Sequence, residues 1–216
     1  NALTHGRISI VHRTCYEVVS ENGLFQCELT GNMMYGKSDI ELPCTGDWVL
    51  FQPFDEHKGI IVDMLPRERT LYRKKNGTVA DKQAIASYVD KAFIVQSLDD
   101  NFNVRRAERF MVQMQEENIN PVLVFNKADL GFDEQKVEEQ IRHIARQIPV
   151  FFTSIHQPQT ILQLRESISA GETVVFVGSS GVGKSSLVNA LCEKSVLLTS
   201  DPREKEDILL LVGRWY

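Results

Sequence analysis

The sequence predicts a small all-β domain followed by an α/β domain built on a parallel sheet. Over about the first 65 residues, short β-prone segments are separated by Gly, Asn and Pro, as in small barrels and sandwiches. After residue 90, apolar segments of strand length alternate with amphipathic helical patterns. That alternation favours a parallel sheet covered by helices on both faces. The pattern of predicted secondary structure changes near residues 66–80, and we place the domains at 1–70 and 71–216.

The predicted β domain contains four or five short strands. Each candidate segment ends close to a turn-forming residue, which limits its length to that of a short strand. The first segment is long enough for two strands. The segments are GRISIVHRTCYEVVS (6–20), GLFQCELT (23–30), GDWVLFQPF (46–54) and GIIVDMLP (59–66).

The second domain shows the alternation of strands and helices directly. Its predicted strands are 92–98, 121–125, 150–153 and 173–178. Asn103 is a plausible N-cap for the first helix. Apolar residues at spacings of three, four and seven define the buried face of each of the first two helices. These faces are Val104, Ala107, Phe110, Met111 and Met114, and then Val137, Ile141, Ile144, Ala145 and Ile148.

The composition is that of an ordinary soluble protein. The chain has 216 residues, of which 43% are hydrophobic and 25% charged. No apolar run approaches the roughly 18–20 residues that cross a bilayer, and no signal segment opens the chain, so we expect a cytoplasmic protein without membrane contact. Cys15, Cys27, Cys44 and Cys192 form no C-x-x-C pair, which predicts reduced thiols and no zinc site in this span.

A phosphate-binding loop follows the last predicted strand of the second domain. Gly178-x-x-x-x-Gly183-Lys184-Ser185 fits the pattern G-x-x-x-x-G-K-[ST]. The glycines let backbone N–H groups face phosphates, Lys184 reaches the β- and γ-phosphates, and the Ser185 hydroxyl is placed to bind Mg²⁺. A strand before the loop and a helix after it make this an anion site at a helix N-terminus. The predicted binding residues are Gly178, Ser179, Ser180, Gly181, Val182, Gly183, Lys184, Ser185 and Ser186.

A second motif, Asn126-Lys127-Ala128-Asp129, follows the strand at 121–125 and resembles the guanine-specificity motif of GTPases. A carboxylate at Asp129 can accept hydrogen bonds from guanine N1–H and the 2-amino group, which adenine cannot donate. Asn126 and Lys127 would shape the pocket, with the Lys stem along the base. After the next strand, Ser154 matches the third GTPase element, which makes backbone contacts to guanine O6, although Ile155 replaces the usual Ala.

The motifs occur in an unusual order, because the guanine motif precedes the phosphate loop. A circular permutation of this kind is tolerated because the site requires the motifs to be close in the fold and not in a fixed order along the chain. Neighbouring strand ends of the sheet meet that requirement. This order resembles the circularly permuted, small-subunit-dependent ribosome biogenesis GTPases over nearly the whole chain. The resemblance is carried by GDWV (46–49), LPRERTLYRKK (65–75), QAIASYVDKAFIVQSLDDNFNVRRAERFMV (83–112), NKAD (126–129) and GSSGVGKSSLVNAL (178–191).

The resemblance implies an OB-fold domain, a permuted P-loop GTPase domain and a C-terminal zinc domain that this chain does not contain. It implies a monomer that binds GTP or GDP with Mg²⁺, uses Lys184 and Ser185 to stabilise transferred charge, and acts on the small ribosomal subunit and its rRNA. Zn²⁺ is expected only in the C-terminal domain. The family's two switch motifs also have no counterpart, and we expect a switch segment to be missing between Asp207 and Ile208.

Basic and aromatic residues of the first domain are candidates for rRNA contacts. The net charge of −5 disfavours a general binder of naked nucleic acid but leaves room for a local basic patch. The candidates are the basic run Arg67, Arg69, Arg73, Lys74 and Lys75 and the aromatic residues Trp48, Phe51 and Tyr72, with a second basic group at Arg105, Arg106 and Arg109.

Two other functions remain open at this point. The first is a P-loop ATPase or small-molecule kinase, which would bind ATP as well as GTP. The second is an RNA-binding checkpoint module that uses the nucleotide as a structural ligand and hydrolyses it poorly.

Overall fold

The computed structural model describes residues 2–74, 82–98, 102–192 and 209–212. It divides into two compact units, residues 1–89 and 90–216.

The first unit contains a closed five-stranded barrel, as the β-prone segments predict. The strand order is β1-β2-β3-β5-β4, and β4 closes the barrel by pairing with β1. All neighbouring pairs are antiparallel except β3 and β5. A four-residue helix, α1, follows β3. The elements are β1 Thr4–Val11, β2 Tyr16–Ser20, β3 Gly23–Leu29, α1 Gly31–Met34, β4 Trp48–Asp55 and β5 Lys58–Met64.

Alternate residues of these strands fill the barrel with apolar side chains. Phe51 lies at the centre, with its ring 5.0 Å from that of Phe25, and is completely buried. A side chain without exposed surface cannot stack on an RNA base, so Phe51 is a core residue and not an RNA contact. The buried set is Ile8, Val18, Phe25, Cys27, Val49, Phe51 and Ile61.

A two-stranded antiparallel sheet completes the first unit. It pairs β6 Leu71–Lys74 with β7 Lys82–Ala86. Both strands belong to the unit that ends at residue 89. The change in sequence pattern had placed residue 71 in the second domain. The assignment of functional domains to 1–70 and 71–216 stays a prediction.

The second unit is the α/β domain. Its five-stranded sheet has the order β10-β9-β8-β11-β12, and the first four of these strands are parallel. The elements are β8 Lys91–Ser97, α2 Val104–Glu116, β9 Asn120–Asn126, α3 Glu134–Ala145, β10 Val150–Phe152, α4 Pro158–Glu166, β11 Thr173–Val177, α5 Lys184–Cys192 and β12 Leu209–Val212.

The edge strand β12 departs from the predicted parallel sheet. It pairs antiparallel with β11, with Leu209 opposite Phe176 and Val212 opposite Thr173. The strand therefore begins beside the carboxyl end of β11 and runs back along it, an arrangement common at the edges of parallel sheets. The expected missing switch between Asp207 and Ile208 lies outside the described residues.

The helical predictions hold for α2 and need correction for α3. The Asn103 side chain accepts a hydrogen bond from the Arg106 N–H at 3.0 Å, which confirms the predicted cap. Helix α3 ends at Ala145, which is exposed, and Ile148 is buried beyond the helix end. The helical periodicity continued past the last helical turn because the chain still packs Ile148 against the core.

Within the described ranges, no helix is both long enough and apolar enough to cross a membrane.

Candidate functional site

The three predicted motifs lie at one edge of the sheet. The phosphate loop follows β11, the Asn126–Asp129 segment follows β9 and Ser154 follows β10. Because these strands are parallel, their carboxyl ends meet at the same edge, where ligands of open α/β sheets bind. A cavity of about 200 Å³ opens there. Its lining residues come from all three segments: Asn126, Lys127, Asp129, Leu130, Ser154, Ile155, His156, Gly183 and Ser186.

Glycine gives the phosphate loop its shape at two positions. Gly178 packs against the backbone of β8, where a Cβ atom would lie 2.3 Å from the carbonyl oxygen of Val95. Gly183 has a φ of +93°, and its Cβ would lie 2.3 Å from Nδ2 of Asn126. Since L side chains rarely adopt such a φ, both the conformation and the space require glycine.

Asn126 joins the guanine motif to the phosphate loop. Its Nδ2 donates a hydrogen bond to the carbonyl oxygen of Val182 at 2.9 Å, and the residue is 4% exposed. The two motifs are 56 residues apart in sequence. The permuted order therefore produces one continuous site, with Asn126 as its internal support.

Lys184 lies buried beneath the loop. Its Nζ donates to the carbonyl oxygens of Gly178 at 3.0 Å and of Ser179 at 2.7 Å. These are neutral acceptors, and a phosphate oxygen is a stronger partner for an ammonium group. Ser185 and Ser186 follow in the first turn of α5 and are exposed. The loop therefore presents a cation, a helix N-terminus and hydroxyl groups to an anion.

Asp129 provides a carboxylate at the base-sized cavity. Lys127 has a left-handed backbone, with φ of 62° and ψ of 35°, and this residue turns the chain into the short helical turn Ala128–Leu130. A hydrogen bond from the Ser154 hydroxyl lowers the pKa of Asp129 below its ordinary value, and the nearby His156 acts in the same direction. The exposed carboxylate is therefore an ionised acceptor at neutral pH.

Ser154 forms hydrogen bonds within its own loop through both its backbone and its side chain. Its N–H donates to the Thr160 hydroxyl at 3.0 Å, and its own hydroxyl accepts from the His156 N–H at 3.0 Å. In the structure Ser154 therefore braces the loop through its backbone N–H and its hydroxyl, and the hydroxyl also bonds to Asp129. A contact between Ser154 and the nucleotide stays a prediction.

Some contributions to the site were not predicted from the sequence, which identified Ile155 only as the replacement for the usual Ala. Leu130 and Ile155 add apolar surface to the cavity, and both side chains are exposed. Close in sequence to the two motifs, the rings of Phe132 and Phe152 stack at 5.6 Å with an angle of 4° between their planes. The only sequence indication of these residues is that they stand close to a recognised motif.

One residue of the basic run in the first domain, Arg67, bonds within the protein. Arg67 forms an ion pair with the fully buried Asp47, from Nη2 to Oδ2 at 2.7 Å and from Nε to Oδ1 at 2.9 Å. It also donates to the carbonyl oxygens of Ile40 and Leu42. Arg67 is therefore a structural cation, because its donors are used within the protein.

The other rRNA candidates are only partly described. Trp48 is half-buried, with the Arg7 guanidinium 5.8 Å from its ring centroid. Tyr72 is half-buried beside Lys82. Lys75 and the side chain of Lys74 lie outside the described residues.

A family model and curated relatives that match this chain all belong to the RsgA GTPases. The sequence model of the RsgA GTPase family matches residues 64–208. The chain is 77% identical over 199 residues to small ribosomal subunit biogenesis GTPase RsgA 1 of Bacteroides thetaiotaomicron, covering 92% of this chain and 56% of that protein. It is 34% identical to RsgA 2 of Lactiplantibacillus plantarum, covering 94% and 57%. The chain thus spans about half the length of the curated relatives it matches.

Two solved structures share the fold. YjeQ from Thermotoga maritima is 26% identical, with a TM-score of 0.69, covering 94% of this chain and 67% of that one. YloQ, described as a circularly permuted GTPase, is 24% identical, with a TM-score of 0.63, covering 88% and 64%. The latter similarity concerns the fold alone.

Proposed function

The chain belongs to the RsgA GTPase family, and on this premise we propose that it binds GTP and GDP at the cavity beside Asp129 and hydrolyses GTP during maturation of the small ribosomal subunit. The observation that carries the proposal is the hydrogen bond from Asn126 to the Val182 carbonyl. This bond joins the end of β9, which lines the cavity, to the phosphate loop, and so supports the binding of one nucleotide across both.

The phosphates of the nucleotide occupy the loop between Gly178 and Ser186. Lys184 leaves the neutral carbonyls of Gly178 and Ser179 for the β- and γ-phosphate oxygens, where its charge offsets the charge of the transferred group. The first N–H groups of α5 face the same anion. Lys184 therefore contributes to both binding and catalysis.

The base lies in the cavity against Asp129. Its ionised carboxylate accepts hydrogen bonds from the N1–H and 2-amino groups of guanine, and adenine would leave the carboxylate unpaired. The exposed side chains of Leu130 and Ile155 and the stem of Lys127 offer apolar surface to the flat faces of a base. This arrangement favours GTP over ATP.

Mg²⁺ fits the chemistry of this site. The ion binds oxygen ligands and is usually held by one or two protein groups together with phosphates and waters. The exposed hydroxyl of Ser185 supplies one such ligand next to Lys184. Among the residues that the structure describes, no cluster of three or more His, Cys, Asp or Glu side chains could hold a metal ion. Ser185 and the phosphates of the nucleotide would hold the ion together.

We propose the small ribosomal subunit as the partner, contacted through its rRNA by a cytoplasmic monomer. The support is the family of the relatives, whose names specify small-subunit biogenesis. Arg67 is internal, so the rRNA contacts are expected from other residues of the run at 67–75.

The test measures GTP hydrolysis with and without purified small ribosomal subunits. We expect the subunits to increase the rate, and Lys184→Ala to reduce the stimulated rate about 100-fold, because the transferred charge loses its nearest cation. Lys136→Ala is the matched control, since Lys136 is an exposed lysine of α3 in the same unit.

Each rival function has a distinct outcome in this assay. A P-loop ATPase or kinase would bind ATP as tightly as GTP, with or without subunits. A nucleotide-dependent RNA-binding module would bind GTP and the subunit, but the subunit would not accelerate hydrolysis. Either result would contradict the proposed function.

A further inference from the structure

Helix α2 contributes an arginine to the phosphate loop. Nη1 of Arg106 donates a hydrogen bond to Oγ of Ser179, which is the second residue of the loop and lies 73 residues away in sequence. The nucleotide-binding motifs do not include Arg106, and the function proposed above assigns it no role.

The position of Arg106 is electrostatically unfavourable for an ordinary helix. It lies in the first turn of α2 beside Arg105, and no acidic residue occupies that turn. Cations at a helix N-terminus oppose the helix dipole. Among the described residues Arg106 has no carboxylate partner, although it is half-buried. The first turn of α2 departs from this electrostatic preference beside a phosphate loop, which suggests that Arg106 has a functional role.

Arg106 is held in place from the sheet. The Asn103 N–H donates to Oε1 of Gln96 at 3.0 Å, and Oδ1 of Asn103 accepts from the Arg106 N–H at 3.0 Å. Gln96 is 2% exposed and lies near the end of β8, one residue after Val95, against which Gly178 packs. Adjacent residues of β8, Val95 and Gln96, therefore contact the start of the phosphate loop and the start of α2.

We propose that Arg106 is a positioning residue that acts through Ser179 and holds the first half of the phosphate loop in its binding shape. The proposal rests on the function proposed above. In the structure, Lys184 bonds to the carbonyl oxygens of Gly178 and Ser179. A bound nucleotide draws Lys184 to its phosphates, and the hydrogen bond from Arg106 then remains to hold Ser179.

This role concerns the phosphates of the nucleotide and not its base. The β- and γ-phosphates depend on the shape of the loop, whereas Asp129 and its neighbours form the base cavity. Arg106 should therefore affect the binding of GTP and GDP and leave the binding of GMP unchanged.

The experiment measures GTP, GDP and GMP affinities by calorimetry or competition for wild type, Arg106→Ala, Arg106→Lys, Ser179→Ala and the double alanine variant. We expect Arg106→Ala to weaken GTP and GDP binding about tenfold, the effect of losing a charge-assisted hydrogen bond. Ser179→Ala should cause a similar loss, the double variant little more, and Arg106→Lys should restore part of the affinity.

Arg105→Ala is the matched control, because it removes the same charge from an exposed position in the same turn. Its GTP affinity should stay within twofold of wild type. The inference is overturned if Arg106→Ala also stays within twofold, if both arginine variants lose affinity equally, if the Arg106 and Ser179 effects add, or if GMP binding falls with GTP binding. A wild type that bound neither GTP nor GDP would instead overturn the proposed function.

Discussion

Arg67 of the barrel unit and Lys184 of the α/β unit are both basic side chains with little exposed surface, and they bond to different kinds of partner. In the barrel unit, Arg67 forms an ion pair with the fully buried Asp47. In the α/β unit, Lys184 bonds to backbone carbonyl oxygens, and Arg106 bonds to a serine hydroxyl.

This difference separates a structural cation from cations available to a ligand. An ion pair with a buried carboxylate leaves Arg67 little to gain from a phosphate, because breaking the pair would strand Asp47. Neutral carbonyl and hydroxyl acceptors are weaker partners, which a phosphate can replace or supplement. The partner of a basic residue thus indicates its role better than its place in a basic run.

The first prediction concerns the ion pair of the barrel unit. Asp47→Asn should lower the free energy of unfolding by about 3 kcal/mol, because it leaves the Arg67 guanidinium buried without its counter-charge. Urea unfolding followed by circular dichroism and tryptophan fluorescence measures the change. Asp63→Asn, at an exposed position of β5, is the control and should change stability by less than about 0.5 kcal/mol. Equal effects of the two substitutions would show that the buried pair is not structural.

In the α/β unit, two glycines of the phosphate loop test how tightly the loop packs against the guanine motif. Gly183→Ala should lower the unfolding free energy by about 3 kcal/mol, since it combines an unfavourable φ with a Cβ that would lie 2.3 Å from Asn126. Gly181 also has a positive φ, of +82°, but a Cβ there would meet nothing within 4 Å. Gly181→Ala should therefore cost about 1 kcal/mol. If the two variants were equally stable, the contact between loop and guanine motif would not be tight.

The smallest effect concerns the pH dependence of base selection. The Ser154 hydroxyl lowers the pKa of Asp129, so the carboxylate stays ionised at mildly acidic pH and loses its charge only when pH falls through that lowered value. We expect the ratio of GTP to ATP affinity to be constant between about pH 5 and pH 8. Competition binding across this range tests it, with Ser154→Ala as the comparison. A ratio that fell steadily below about pH 6 would mean that a different group selects the base.

The sequence predicted most of the fold and the composition of the site. Short β-prone segments separated by turn-forming residues gave the barrel strands, helical periodicity gave the buried face of α2, and Asn103 was recognised as its cap. The adjacency of the loop and guanine motifs followed from the rule that parallel strands end at one edge. Local patterns sufficed for the strands, the helix face and the cap, because each of these depends on neighbours in sequence.

The remaining features depend on partners distant in sequence. Arg67 and Arg106 look alike in a basic sequence, and only the fold brings Asp47 to one and Ser179 to the other. The antiparallel direction of β12 likewise reflects the path of the chain and not its β-prone composition. Leu130 and Ile155 belong to the cavity because of the turns that present them.

The central claim is that the Asn126–Asp129 segment and the phosphate loop form one guanine-nucleotide site, and base exchange at Asp129 tests it most directly. Asp129→Asn replaces one acceptor with an amide that also donates, which suits the 2-oxo group of xanthine and not the 2-amino group of guanine. We expect GTP binding to weaken about 100-fold and xanthosine triphosphate binding to strengthen, while Glu139→Gln, on the exposed face of α3, changes neither. If Asp129→Asn left the preference among GTP, ATP and xanthosine triphosphate unchanged, the account would be contradicted.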